Sequence, residues 1–411
     1  MKEQSTDSRI VVMKFGGTSV AEKHGRDAVA RRVKEAISDG KAPVVVVSAM
    51  GRAGSPYSTD TLLSLVESFP PDLREQDILM STGELISAVL LAHELRASGI
   101  EAQALSGTQA GIVTDDLHGN ASVIEIYPHL LKEAISERVV PVVAGFQGLS
   151  RSGYVTTLGR GGSDTTACAL GVALNAESVE IYTDVDGIAT ADPRACDSAV
   201  TLEVIGSDEL YQLARHGSRV VHAPAAELAL ASHLGLSVRN TFTDERGTMV
   251  VSISDYAPRA VATALSHSEN IVRVSVDLGS VAGSSQNMAA QSKVYRSLAD
   301  AGISLDMFTP AESSLLFTVS SSAKTSVCEV LDSLGFTYTT RCELSKVTLV
   351  GAGMHGVPGV MAKIAECLYA ADVSVIQTAD SHATISVVIP SSDIEKALKA
   401  LHDGFDLGTP R

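Results

Sequence analysis

The sequence has 411 residues, which is too many for one ordinary hydrophobic core, so two or three domains are expected. Hydrophobic residues make up 45% of the chain and charged residues 19%, which excludes a disordered protein. The net charge of −16 argues against nucleic acid or an anionic membrane as the main partner, so an anionic ligand needs a local surplus of cations.

Targeting signals are missing from the sequence pattern. The polar residues 1–8 contain no signal-peptide core, and no apolar run reaches the roughly 18 residues that span a bilayer. The five cysteines are scattered and include no Cys-x-x-Cys pair, which is typical of reduced thiols. The sequence therefore predicts a cytoplasmic protein without a membrane partner.

Short apolar runs alternate with segments of helical periodicity from residue 9 to about residue 253. This alternation predicts an α/β domain with a mostly parallel sheet, whose ligands lie beyond the carboxyl ends of the strands. The predicted strands are 10–15, 43–48, 101–105, 139–146, 178–183, 237–241 and 249–253.

A cationic turn follows the first predicted strand. Lys14 stands near the end of that strand, and Gly16, Gly17 and two hydroxyl residues come next. Backbone N–H groups and an ammonium would meet there, which indicates a phosphate-binding turn. The spacing of a Walker A loop is absent, and a surface lysine beside a plain turn remains the alternative.

Two further stretches carry candidate substrate ligands. The second strand ends at Ser48, and the segment 52–60 after it, rich in Gly, Ser and Pro, could form a lid. Glu84 lies at a predicted helix start, where its carboxylate either binds a substrate or stabilises the helix N-terminus. The tripeptide His118-Gly-Asn120 is typical of a loop, and its role stays ambiguous.

A glycine-rich turn, residues 157–166, is the most distinctive stretch of the chain. Its three glycines allow positive φ angles and a close approach of the backbone to a ligand. Arg160 can bind a carboxylate through two parallel hydrogen bonds. Ser163 and Asp164 stand where a helix N-cap is expected, so a plain strand-to-helix turn with a capping aspartate is the alternative.

Later polar turns hold additional candidates. Asp184 and Asp186 follow the strand 178–183 and fit a metal site, a ribose site or a simple turn. Arg194 is placed to reach a phosphate or a base, and Arg219 is a further basic residue after a glycine.

The composition changes near residue 256, and two similar segments follow. Residues 298–306 match 368–376, and residues 314–319 match 383–388. A repeat of this length predicts two copies of a small α+β module. The second copy contains a Gly-x-Gly-x-x-Gly stretch from Gly351 to Gly356, but too few residues follow for a dinucleotide-binding sheet.

Together these motifs resemble the aspartate kinases of the amino-acid kinase superfamily, with C-terminal modules similar to ACT domains. The resemblance covers nearly the whole chain and implies a three-layer kinase domain with a mostly parallel central sheet, at 9–255. Two α+β (ferredoxin-like) ACT modules would follow, at 262–340 and 345–411. It rests on residues 14–20, 46–51, 82–84, 143–148, 157–164, 182–187 and 191–194.

The resemblance implies transfer of the γ-phosphoryl group of ATP to the β-carboxylate of L-aspartate, with Mg²⁺ held through the ATP phosphates and no metal ligands from the protein. The product, 4-phospho-L-aspartate, opens the route to lysine, diaminopimelate, threonine and methionine. Lys14 and Asp164 would be catalytic. ATP would contact Lys14, Phe15, Gly16, Gly17, Thr183, Asp184, Ala189, Arg194 and Arg219. Aspartate would contact Ser48, Thr59, Glu84, Arg160, Gly161, Gly162 and Ser163.

The paired modules imply a homodimer that binds an end-product inhibitor, which is lysine, threonine or meso-diaminopimelate. The turn Asp380-Ser-His382 is similar to that of the diaminopimelate-sensitive type. The candidate effector contacts are Asn287, Met288, Asp306, Met354, His355, Pro358, Gln377, Thr378, Ser381 and His382.

The chain departs from the family pattern at two positions. Ala189 replaces an aromatic residue, so adenine stacking there is lost, and Arg219 stands where the family has a nucleotide-facing lysine. Two other functions compete with aspartate phosphorylation. One is another carboxylate kinase of the same superfamily, and the other is a non-catalytic amino-acid sensor.

Overall fold

The computed structural model describes residues 9–252, 261–279, 284–311, 313–354 and 356–409, and within helix 284–300 it describes side chains from residue 288 onward. Among these residues, those of Met1–Ile188 and Thr201–Ala257 form one unit. Those of Ala189–Val200 and Pro258–Pro410 form a second unit.

Parallel strands form the centre of the first unit. In chain order its strands are β1 (Arg9–Phe15), β2 (Lys41–Val47), β3 (Ala102–Leu105), β4 (Ile112–Thr114), β5 (Val123–Ile126), β6 (Val140–Ala144), β7 (Gln147–Ser150), β8 (Val155–Thr157), β9 (Ser178–Thr183), β10 (Val204–Gly206), β11 (Leu236–Asn240) and β12 (Thr248–Val251). Eight of them form the main sheet, in the order β10-β12-β11-β9-β1-β2-β6-β3, and every pairing is parallel except β11 with β12. The other four form a smaller sheet, β5-β4-β7-β8.

Helices cover both faces of the main sheet. They are α1 (Gly17–Ala21), α2 (Lys23–Ser38), α3 (Thr59–Ser64), α4 (Leu73–Ala97), α5 (His129–Ser136), α6 (Gly162–Ala173), α7 (Ser207–Arg215) and α8 (Ala223–Ser232). Met13 and Phe15 of β1 share one apolar cluster with α2 and α4, whereas α6 lies against the opposite face, where Lys14 points. Strand β2 shows why the sheet is central, because its valines 44–47 are fully buried, as expected for a strand covered on both faces. The three-layer α/β prediction is confirmed.

Two predicted helix starts are wrong. Helix α4 begins at Leu73, where the Asp72 side chain accepts hydrogen bonds from two backbone N–H groups, so Glu84 lies in the middle of a helix and does not stabilise its start. Helix α6 begins at Gly162 with Gly161 as its N-cap, so Ser163 and Asp164 lie in its first turn.

Helix α4 is the one described helix that is long and apolar enough to cross a membrane by length and composition. This is weak support for a membrane span, because the core helix of a folded domain meets the same criteria. Its buried residues include the polar side chains of Asp77, Ser81, Glu84 and Ser87, and its apolar residues join the core against the sheet.

The second unit contains the predicted repeat. Its elements are β13 (Ala264–Asp277), α9 (Ser284–Asp300), β14 (Asp306–Pro310), β15 (Ser314–Ser320), α10 (Lys324–Leu334), β16 (Thr337–Val350), α11 (Val360–Ala370), β17 (Gln377–Asp380), β18 (Thr384–Pro390) and α12 (Ile394–Gly404). The strands form one antiparallel sheet in the order β14-β15-β13-β16-β18-β17. Each copy contributes three neighbouring strands, and the long pair β13 and β16 joins the copies, so the prediction of two α+β modules is confirmed.

The segment 189–200 belongs to the second unit, although its chain neighbours on both sides belong to the first. Ala191 and Cys196 lie in the same apolar cluster as residues of β16, α11 and α12. The buried ring of His402 holds the segment from both ring nitrogens, with Nε2 at 2.9 Å from the Thr190 hydroxyl and Nδ1 at 3.0 Å from the Ser198 hydroxyl. The alternating pattern of apolar runs did not predict that this segment belongs to the second unit.

Candidate active site

The carboxyl ends of β1, β2, β6 and β9 meet at one edge of the main sheet. Backbone hydrogen bonds continue beyond the strands, from Ser48 N to Phe15 O (3.2 Å) and from Gly145 N to Val47 O (3.0 Å). Gly16 N donates to Tyr182 O at 3.2 Å. The turns that follow the four strands therefore form a common rim, as expected for a parallel sheet.

An ion pair lies at this rim. Lys14 Nζ of β1 stands 2.6 Å from Asp164 Oδ1 in the first turn of α6, and both side chains are about nine-tenths buried. The helix N-terminus stabilises the aspartate, which in turn fixes the ammonium. The predicted catalytic pair, separated by 150 positions in the sequence, is therefore in direct contact.

The glycine-rich turn carries Arg160 four residues before Asp164. Gly161 has a φ of +69°, a left-handed conformation that favours glycine, and Arg160 before it is exposed. The ring of His222 lies so close to Gly161 that a Cβ there would stand 2.2 Å from it. Burial lowers the pKa of His222, so the imidazole that supports the turn is neutral at physiological pH.

Replacing Gly161 with alanine is expected to destabilise the protein and to displace Arg160, because the new methyl group would overlap His222. The matched control is Gly153→Ala, since Gly153 also has a positive φ (+84°) but has nothing within 4 Å of its Cβ position. Both variants carry the same kind of backbone strain, so their difference isolates the overlap. We expect the free energy of unfolding of Gly161→Ala to be about 1–3 kcal/mol lower than that of the control. Equal values in urea unfolding would contradict the structural role of His222.

A buried carboxylate stabilises the glycine-rich turn and the tripeptide that packs against it. Asp77 of α4 is fully buried and accepts hydrogen bonds from Gly119 N (3.1 Å), from the Thr157 hydroxyl and from His118 Nδ1 (2.7 Å). Asn120 lies against Gly159, where an added Cβ would stand 2.4 Å from its Oδ1. The ambiguous tripeptide 118–120 therefore positions the glycine-rich turn. Asp77 itself was missed, since a lone aspartate within a helical pattern carries no signal.

Glu84 lies buried beneath the same rim. Its Oε1 accepts a hydrogen bond from Ala49 N (3.0 Å), whereas its Oε2 has no hydrogen-bond partner among the described residues. Burial raises the pKa of Glu84 to about 8. The unpaired Oε2 leaves a position for a cationic ligand group, which would displace the proton that burial favours.

The rim also holds a contact that the sequence did not indicate. Arg52, at the start of the predicted lid, pairs with Asp184 at 2.5 Å, and Thr183 donates to the same carboxylate at 3.3 Å. Asp186 has a structural role instead, because it accepts hydrogen bonds from Asn240 (2.7 Å) and Thr243 (3.1 Å).

Other candidate residues lie farther along the chain. Thr59 is the first residue of α3, and Arg219 is exposed between α7 and α8. Ala189 and Arg194 belong to the second unit, where the Arg194 guanidinium is bound to the Asp192 carboxylate at 2.7 and 3.0 Å. Each of these four roles remains a prediction.

Several candidate effector residues converge in the second unit. Asp306 forms an ion pair with the buried Lys346, and the Gln377 amide donates to Met307 O of the neighbouring copy. Lys346 was not among the predicted effector contacts, because a lysine within a strand is ordinarily expected to be exposed. Thr378 and Ser381 are exposed on the same copy as Gln377.

The remaining effector candidates are scattered or lie outside the description. Met354 is buried, whereas Met288, Pro358 and His382 are exposed. The side chain of Asn287 and the whole of His355 lie outside the described residues.

Comparisons with known proteins agree with this geometry. The sequence profile of the Amino acid kinase family matches residues 9–240, and an ACT domain profile matches residues 339–403. Aspartokinase 1 of Bacillus subtilis is 40% identical over 409 residues, which cover 97% of this chain and 99% of that protein. The aspartokinase of Corynebacterium glutamicum is 38% identical over 417 residues, covering 97% and 96%.

Solved structures give the same result. The crystal structure of E. coli aspartokinase III in complex with aspartate and ADP is similar with a TM-score of 0.82 and 27% sequence identity, covering 97% of this chain and 100% of that one. The same protein in complex with lysine and aspartate is similar with a TM-score of 0.74. The resemblance read from the sequence motifs is confirmed. The chain belongs to the amino acid kinase family and, within it, to the aspartokinases.

Proposed function

We propose that this chain transfers the γ-phosphoryl group of ATP to the β-carboxylate of L-aspartate. The observation that carries the proposal is the contact between Lys14 and Asp164 at a rim that also holds Arg160 and the buried Glu84. The rim combines fixed cations for two anionic reactants with one acidic group for an ammonium. Binding of aspartate and ADP by the similar E. coli aspartokinase III supports this proposal.

The residues would act mainly by positioning and by neutralising charge. The attacking β-carboxylate is already ionised at neutral pH, so no general base is required. Lys14 would hold the transferring phosphoryl oxygens. The Gly17 backbone at the start of α1 would assist, because the N–H of Gly16 is engaged by Tyr182. Arg160 would hold the α-carboxylate of aspartate, and Glu84 its ammonium.

The carboxylates at the rim fit a Mg²⁺ ion that is bound mainly through the phosphates of ATP. Asp164 and Asp184 supply the hard oxygen atoms that Mg²⁺ prefers. Across the described residues, no group of three His, Cys, Asp or Glu side chains could hold a metal by itself. When bound, the ion would neutralise charge on the phosphates.

A coupled assay of ADP release tests this function directly. With the purified protein, ATP and Mg²⁺, we expect turnover with L-aspartate and little or none with L-glutamate. Turnover with glutamate alone would favour another carboxylate kinase of the family. No turnover with any amino acid would favour a non-catalytic sensor.

The buried Glu84 gives aspartate binding a specific pH dependence. Because burial raises the pKa of Glu84 to about 8, the free protein carries a proton there at lower pH, and the aspartate ammonium must displace it. As the pH rises from 6 to 8, we expect the KM for aspartate to fall by up to about tenfold for each pH unit. Steady-state kinetics at saturating ATP measure this, and calorimetry in two buffers measures the released proton.

The control for this prediction is Glu84→Gln, which keeps the shape of the side chain and removes its titration. This variant should show a higher KM for aspartate that no longer changes between pH 6 and 8. If the KM of the glutamine variant still fell with rising pH as in the wild type, another group would bind the ammonium.

Regulation follows from the second unit. We propose that residues 9–255 form the kinase domain and that ACT modules at 262–340 and 345–411 bind an end-product amino acid in a cytoplasmic homodimer. The contacts of Asp306 and Gln377 between the two copies support an effector site there. Lysine binding by the similar E. coli enzyme supports lysine, and threonine and meso-diaminopimelate are the other candidates. Inhibition assays with the three compounds distinguish them, and insensitivity to all three would contradict this part of the proposal.

A further inference from the structure

The ion pair between Arg52 and Asp184 spans the phosphate-binding turn at Gly16 and Gly17. Strand β1, which leads into this turn, lies between β9 and β2 in the main sheet. Asp184 follows β9, and Arg52 belongs to the turn after β2. Because Arg52 Nη2 stands 2.5 Å from Asp184 Oδ2, the contact has to pass the end of β1.

Backbone hydrogen bonds hold both partners close to the phosphate-binding turn. Gly51 N donates to Gly17 O at 3.0 Å on one side, and Gly16 N donates to Tyr182 O at 3.2 Å on the other. A Cβ at Gly17 would stand only 2.7 Å from Gly51 O. The residue before Arg52 is therefore packed directly on the turn that would receive the phosphates.

The Arg52 guanidinium is accessible to a ligand. Its side chain is 73% exposed, and its partner is a single carboxylate. Exposed ion pairs contribute little to stability, so a stronger acceptor can replace Asp184 at a small cost. The phosphates of a nucleotide carry more negative charge than one carboxylate, and they accept parallel hydrogen bonds from a guanidinium.

The charges at the rim favour such an exchange. Lys14 is paired with Asp164, so the two side chains together carry no net charge. The proposed function assigns Arg160 to the α-carboxylate of aspartate. A further cation would therefore help to neutralise the phosphates of ATP, and Arg52 stands beside the turn that would hold them.

We propose that Arg52 binds the phosphates of the nucleotide and that Asp184 holds its guanidinium across the phosphate-binding turn in the absence of nucleotide. Nucleotide binding would exchange one anionic partner of Arg52 for another. The Asp184 carboxylate would then be available to the Mg²⁺ ion that accompanies ATP. This inference rests on the proposed function, because it assigns a ligand of the ATP that the reaction consumes.

Isothermal titration calorimetry with β,γ-methylene-ATP, a non-hydrolysable analogue, tests the exchange in the full-length protein with Mg²⁺ and without aspartate. We expect the Kd to rise about tenfold or more in Arg52→Gln, because charge-assisted hydrogen bonds to a phosphate are lost. Arg52→Lys keeps the charge and should recover part of the affinity. If Arg52 only closed the site, Arg52→Gln would bind the analogue as tightly as the wild type or more tightly, and that result would overturn the proposal.

The matched control is Arg9→Gln, which should bind the analogue like the wild type. Arg9 is also an exposed arginine beside a carboxylate, at 3.6 Å from Glu177, but it begins β1 at the opposite end of the sheet from the rim. Arg52→Ala provides a second variant without the cation if Arg52→Gln does not fold, as judged by circular dichroism.

Turnover with aspartate separates this inference from the proposed reaction. Weaker analogue binding in Arg52→Gln, in a protein that does not phosphorylate aspartate, would support the role of Arg52 and contradict the reaction. Normal turnover together with unchanged analogue binding in Arg52→Gln would overturn the inference alone. Absence of analogue binding by the wild type would overturn both.

Discussion

Replacement of Lys14 by alanine is expected to lower kcat for aspartate phosphorylation by about 10²–10³ or more. The Lys14 ammonium lies near the end of β1 beside Asp164. It would neutralise the negative charge on the oxygens of the phosphoryl group during its transfer. Loss of this group leaves Asp164 without its partner in a nearly buried position, so the remaining rim would repel phosphate oxygens.

The ADP-release assay at saturating ATP and aspartate measures this effect, and thermal unfolding shows whether the variant keeps its fold. The control is Lys23→Ala, because Lys23 pairs with Asp27 on the exposed surface of α2 and has no role at the rim. A Lys14→Ala protein with kcat within threefold of the control would contradict the proposed mechanism.

Replacement of Arg160 by alanine is expected to reduce kcat/KM for aspartate about 10²- to 10⁴-fold, with little change in the KM for ATP. Two charge-assisted hydrogen bonds to the α-carboxylate would be lost, each contributing about 1.5–3 kcal/mol. Arg160→Lys should recover only part of the activity, since a lysine keeps the charge but lacks the planar fork.

Because Arg160 is exposed, its removal should leave the stability of the protein nearly unchanged, which separates a binding role from a folding role. Arg151→Ala serves as the control, as Arg151 is also exposed and lies in the turn between β7 and β8 of the smaller sheet. Equal losses for aspartate and ATP would show that Arg160 does not act on aspartate alone.

The sequence predicted the elements whose signals are local. Apolar runs located seven of the eight strands of the main sheet, and the repeated segments located the two α+β modules. The short strand β10 and the four strands of the smaller sheet were not predicted. The candidate site residues Lys14, Arg160 and Asp164 stood out in the sequence because each lies in or beside a short glycine-rich turn, and such glycines serve no purpose in a regular element. Parallel pairing then brings such turns together at one edge.

The parts that could not be predicted depend on contacts between distant residues. Asp77 holds the glycine-rich turn from 80 positions away, and Arg52 reaches Asp184 across 132 positions. Neither position stands out in its own segment. The start of α4 was misplaced for a different reason, because Asp72 caps a helix whose first turns are too polar to show a clear apolar period.

The assignment of residues 189–200 to the second unit has a practical consequence for experiments that separate the two units. The chain enters the second unit at Ala189 and returns to the first at Thr201, so neither unit is a cassette that can be moved or deleted by one cut. A truncated protein that stops at Val251 would retain Ala191 and Cys196 without the apolar side chains that surround them. A variant that no longer responds to the proposed end-product effector is therefore better obtained by point substitutions in the second unit than by deletion of that unit.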